Sequence, residues 1–190
     1  MGSIFVFSLA TLISYILIVL NIPYLIIPIT LAFVIYAVWL IYKKKVKINI
    51  VFNLKTLIVL IVFSIGIIGQ LAIIAPSGTY QSGNLVFWSA HGHDGPWHIA
   101  LVEEMKKGYP FENPIFAGEK LTNYHFFSDV LPTMVSLYTP LSDLDSYFRL
   151  FPFIYSLFLG ASVYFLTKKL TNSFSASIWA VIFTDRKSVV

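Results

Sequence analysis

The sequence predicts an all-α fold: a polytopic transmembrane helical bundle with a large extracytoplasmic loop that carries amphipathic, interfacial helices. Three observations predict it. The chain of 190 residues is 57% hydrophobic and only 12% charged, where a soluble domain carries about 25% charged residues; too few polar side chains remain to cover a water-exposed surface. Several apolar stretches reach the roughly 17–25 residues that a membrane-spanning helix needs. All four histidines and eight of the nine acidic residues gather in one stretch between the third and fourth of these. A soluble enzyme is thereby excluded. A 17% aromatic content with only 9 Pro and 10 Gly excludes a disordered or collagen-like chain. With no cysteine, disulfide frameworks, thiolate metal sites and cysteine nucleophiles are excluded too.

The elements follow in order. Residues 4–20 form the first span, interrupted only by Ser8, Thr11 and Ser14, and Asn21-Ile22-Pro23 turns the chain. Residues 25–42 form the second, with Tyr36, Trp39 and Tyr42 near one end as an interfacial belt. Lys43, Lys44, Lys45, Lys47 and Lys55 follow, and residues 56–75 form the third span. The stretch 76–145 is the outer loop. Residues 146–166 form the fourth span, ending near Lys168 and Lys169, and 174–183 are a truncated fifth. The start lacks a basic leader and a small-residue cleavage site, so it reads as an uncleaved helix. Both lysine clusters sit inside if cytoplasmic loops hold the Lys/Arg excess, which places the N-terminus inside and 76–145 outside, in a multi-pass protein of the cell membrane. Residues 184–190 are an atypical tail that resembles sequencing-adapter read-through, so the natural protein is expected to be longer, with this chain its N-terminal part and not expected to be active by itself.

Connections between helices are usually 2–8 residues, so a loop of about 70 residues calls for a function. Its densest stretch runs from Ser89 to His98 and holds His91, His93, Asp94 and His98. Pro96 suits the first turn of a helix from Trp97 to about Lys107, with Asp94 as its cap and His98 four residues on, near enough to share a face. The plain alternative makes Asp94 a cap and the histidines surface residues. The functional one makes the carboxylate a general base or a ligand of a hard cation, with imidazoles binding metal or phosphate. A divalent metal ion is the cofactor this cluster could take, on Asp94 and His93. Residues 109–114 are extended before their prolines, and 116–120 turn. Tyr124 and His125 then precede an apolar stretch, 130–141, bracketed by Pro132 and Pro140 and too short to span. Tyr124 and His125 could stack on or hydrogen-bond a ligand; Tyr124 could equally anchor at the headgroups.

The run HDGPWHIALVEEMKKGYPFENPIFAGEKLTNYHFFSDVL resembles the first large outer loop of polytopic membrane glycosyltransferases of the GT-C superfamily. The resemblance covers roughly residues 57–183. It implies an extracytoplasmic catalytic face, a donor sugar carried on a polyprenyl phosphate, and an essential acidic residue early in the loop, which by position is Asp94. Two spans precede the helix that would be the family's first, and Asp94 is flanked by His93 and Gly95 where a DxD or ExD pair would stand. Inverting transfer needs a base for the acceptor hydroxyl and a group facing the leaving phosphate. Asp94 supplies the first, and His91, His93, His98 or a cation the second, with Tyr124 and His125 as further substrate contacts. The partners implied are membrane lipid and the polyprenyl-phosphate sugar. Nucleic acid is not implied, because the lysines adjoin spans where topology explains them. The competing readings are a transporter module, for which Gly66, Gly69 and Gln70 are the only hint, and a non-catalytic membrane scaffold that would not need Asp94.

Overall fold

The computed structural model describes residues 2–43, 52–88 and 91–185. It is mostly helical. Helix α1 runs Gly2–Val19 and, after a single 3-10 turn at Pro23–Leu25, α2 runs Ile26–Lys43. Helix α3 (Leu54–Ile74) begins at Asn53, whose side chain accepts a hydrogen bond from the Thr56 N–H at 2.9 Å and so satisfies one free amide of the first turn. Among the described residues three segments are long and apolar enough to cross a membrane: Pro23–Lys43, Leu54–Ile74 and Asp143–Thr171. These match the second, third and fourth expected spans in place, the last beginning earlier and ending later than expected. Lys44, Lys45 and Lys47 of the first lysine cluster, Ser89 and Ala90, and the tail from 186 lie outside the described residues.

Helix α3 packs on α7 (Phe151–Thr171), and both pack on α8 (Phe174–Asp185). The pair is antiparallel: Phe63 meets Tyr164 and sits over Gly160, while Gln70 and Ile74 face Phe151 and Tyr155 across a cavity. At the far end Lys55 lies 5.8 Å above the Phe174 ring, so the lysine end of α3 meets the start of α8. Helix α2 contributes no buried residue; near its end Tyr36 stacks on Trp39 and Lys43 lies over the Trp39 ring.

Between α3 and α7 the chain builds a layer across the end of the bundle. It opens with a feature an all-α expectation did not contain, a hairpin of β1 (Thr79–Gln81) and β2 (Asn84–Val86). Ser82 and Gly83 make its two-residue turn, both at positive φ (50° and 82°), the pattern whose twist suits adjoining strands. Ser77 closes the base: its hydroxyl accepts the Trp88 N–H at 2.9 Å, and its carbonyl accepts from Arg149 at 2.9 Å.

Helix α4 (His91–Lys106) then packs on α5 (Phe127–Tyr138), and α5 packs on α1. Leu101, Met105, Val130 and Met134 from the layer bury Leu17 and Ile18 of α1, forming the apolar core. The C-terminal half of α1 is thus covered by the loop helices. A short helix α6 (Asp143–Asp145) and a π-helical turn (Ser146–Leu150) lead into α7. Lys106 ties the layer down, with its ammonium 2.6 Å from Asp143 and 3.2 Å from Glu103.

Two local expectations are corrected. The helix expected to start at Trp97 starts at His91, so Asp94 lies in its first turn and is not its cap. Pro96 is accommodated because the carbonyl its missing N–H leaves free belongs to exposed Gly92. Likewise Pro132 lies within α5 and does not bracket it, its counterpart carbonyl belonging to exposed Ser128.

Candidate functional site

Two cavities of similar size open on α4. The first, about 600 Å³, lies between α4 and the α3–α7 pair, bounded by His91, Asp94 and His98 above and by Ile74, Phe151 and Tyr155 below. Its lower wall therefore belongs to the membrane-length helices, and most of its lining is apolar. The second, about 580 Å³, lies on the other side of α4 among His93, Pro96, Trp97, Pro114, Ile115 and Tyr124, and none of these belongs to a membrane-length helix. Asp94 borders both.

Local sequence explains that position. Gly95 lets α4 approach the aromatic floor: a Cβ there would come within 2.8 Å of Phe87 and 3.1 Å of Phe148. Phe148, fully buried, also meets His91 and Tyr147 edge-on or tilted. With Gly95 pressed inward, its neighbour Asp94 stays exposed at the rim. A carboxylate in a helix's first turn is also favoured by the free amides there.

His98 is the second element. Its Nδ1 lies 3.0 and 3.1 Å from the two oxygens of Asp129 on α5, a carboxylate with no exposed surface. Its Nε2 lies 3.4 Å from the Tyr124 hydroxyl, and its ring stacks on Tyr147 at 5.4 Å. The hydrogen bond to Asp129 raises the His98 pKa above its ordinary value, burial working against this and the charges of Asp129 and Asp94 adding to it. Burial raises the Asp129 carboxyl in turn, opposed by His98. His98 lines the first cavity and Tyr124 the second. The contact between them, with Asp94, forms the partition between the two.

The residues singled out in the sequence thus fall into four places. Asp94, His98 and Tyr124 converge on the partition. His91 lines the first cavity, with its Nδ1 buried and unpartnered among the described residues. His93 is exposed at the second. His125 is exposed and stacks on Tyr124 at 4.7 Å, bordering neither cavity. Among the described residues no three His, Asp or Glu side chains gather as metal ligands would, so Asp94 and His93 stand without a third side-chain ligand.

Asp129 and Tyr147 were not singled out as site residues. Asp129 did carry a signal: it is an acidic residue set directly against an apolar run, where only a partner makes burial tolerable. No family model, characterised protein or solved structure matches the chain.

Proposed function

We propose that this chain carries the reactive site of an integral-membrane glycosyltransferase, which moves a sugar from a polyprenyl-phosphate donor to an acceptor on the extracytoplasmic face. The observation that carries the reading is Asp94, a single carboxylate bordering two cavities of different character. The first continues down membrane-length helices and offers mostly apolar walls, which suits a donor whose lipid tail stays in the bilayer. The second is open and lined by Trp97, Pro114 and Tyr124, which suits a sugar face stacked on aromatic rings. A donor in one and an acceptor in the other would bring their reacting atoms to the partition. There Asp94 can hold the acceptor hydroxyl and face the positive charge that develops at the anomeric carbon as the bond to phosphate breaks. The resemblance of the loop to GT-C glycosyltransferases supports the same reading, as does the lysine-poor, acid-rich character of the loop beside lysine-flanked spans.

The test is sugar transfer from polyprenyl-phosphate hexoses by membranes carrying the full-length protein, wild type against Asp94→Asn at matched expression. A loss of about 10²-fold or more is expected for removing one preorganised charge at a reacting centre. Full activity in the variant would move the role to another residue, and no transfer from either across several donors would return the loop to a scaffold role.

A further inference from the structure

Resting on that reading, we propose that His98, oriented by buried Asp129, is the group that takes the proton of the acceptor hydroxyl, with the Tyr124 hydroxyl standing between it and the second cavity. Asp94 then takes no part in the proton transfer and faces the sugar.

Three observations carry this. The Asp129 carboxylate is fully buried and turns both oxygens to one edge of the imidazole, at 3.0 and 3.1 Å. That fixes the tautomer with its proton on Nδ1, so Nε2 presents a lone pair. The lone pair points to the partition, where the Tyr124 hydroxyl lies 3.4 Å away and can donate to it. A base oriented by a third group, with its free nitrogen at the reacting place, is the arrangement by which imidazoles accept protons from hydroxyls. The charges around the ring favour the same role. Asp94 faces it from α4, Asp129 from α5, Tyr124 from the connecting segment and Tyr147 from the π-helical turn, while His125 acts on Asp129. Two carboxylates beside one imidazole favour its taking up a proton. An imidazole is also a stronger base than a carboxylate by about two pKa units.

The step balances as follows. The acceptor oxygen forms its bond to the anomeric carbon, and the bond from that carbon to the phosphate oxygen breaks, its electron pair leaving on the phosphate. The acceptor proton passes to Nε2 of His98, directly or with Tyr124 giving its own proton to Nε2 and taking the acceptor's. The imidazolium, paired with Asp129, then releases the proton to water.

The test uses the full-length protein in phospholipid nanodiscs, with polyprenyl-phosphate mannose, glucose and galactose as donors in turn and octyl glucoside as acceptor. The pH profile of kcat should show an acidic limb above about 6.5, the ordinary imidazole value. Asp129→Asn should move the limb to lower pH, and His98→Gln should abolish it while lowering kcat by about 10²–10⁴-fold. A limb near about 4 that survives in His98→Gln would give the proton to a carboxylate and overturn the proposal. Wild type that transfers nothing from any donor instead overturns the glycosyl-transfer reading beneath it. A histidine ¹⁵N NMR titration of the wild type is independent of both activity and variant folding. The Nδ1–H tautomer is expected for neutral His98, and the Nε2–H tautomer would overturn the proposal.

Discussion

His98 and Asp129, 31 positions apart in the chain, meet with Nδ1 3.0 Å from Oδ1, and this pair joins the two helices of the layer that covers the bundle. The side chain of Asp129 has no exposed surface and that of His98 only 13%. Removing one partner of a buried pair is costlier than the pair is worth, because the other charge stays buried alone.

His98→Ala therefore should destabilise the protein by about 3–5 kcal/mol near neutral pH, with a characteristic pH dependence. Burial raises the Asp129 pKa, and the variant lacks the imidazole that opposes this. A carboxyl raised in the fold gives its full stability below its unfolded value of about 3.9 and loses it as pH rises toward the folded value. His98 in the wild type, raised above its ordinary value, stays protonated and paired across the same range and loses its contribution only at higher pH. The deficit of the variant should thus be larger at pH 6 than at pH 4, read from thermal unfolding by circular dichroism in detergent. Equal deficits at both would mean that Asp129 is not left as a buried charge.

Gly95 and Gly92 lie one helical turn apart and should respond in opposite directions to alanine. At Gly95 the new methyl would meet Phe87 at 2.8 Å and Phe148 at 3.1 Å, two aromatic rings in mutual edge contact at 5.8 Å. Overpacking of this kind costs about 1–3 kcal/mol. It would also push α4 away from the floor of the first cavity and move Asp94. At Gly92 nothing lies within 4 Å, so alanine should be neutral or stabilising by up to about 1 kcal/mol, through lower backbone entropy in the unfolded chain. Melting temperatures of the two variants decide it: a Gly95→Ala variant as stable as Gly92→Ala would mean the helix is not pressed onto Phe148.

How much of this was legible in the sequence follows the range of each interaction. Span lengths come from local hydropathy, and the expected third span lies within two residues of α3 at each end. Pro96 predicts a start at Trp97, but Gly92 faces water, where its carbonyl needs no helical partner, so α4 begins at His91. The hairpin at Thr79–Val86 rests on Ser82-Gly83, a turn signal flanked by strands of only three residues, too short to show alternation. The site divides the same way. Asp94 and His98, on one helix at a spacing of four, were readable as neighbours. The pairing of His98 with Asp129 was not, since no periodicity links residues on two helices joined by an intervening loop.

Orientation across the membrane gives the last prediction. Helix α3 runs from Lys55 to the cavity-bearing layer, and antiparallel α7 runs from that layer to Lys168 and Lys169. The lysines Lys55, Lys168 and Lys169 thus gather at the end of the bundle opposite Asp94. Loops rich in lysine stay in the cytoplasm, so the layer should face outward, the side required of the proposed donor. The chain has no cysteine, which allows single reporters. Gln81 at the hairpin tip and Lys169 near the end of α7 are both exposed, and either can become cysteine without loss of packing. A membrane-impermeant maleimide should label Gln81→Cys on intact bacterial cells, and Lys169→Cys only after the membrane is opened. The reverse pattern would put both cavities on the cytoplasmic side and set the lysines against the charge rule, and with it the extracytoplasmic transfer reaction would fall, whatever Asp94 does.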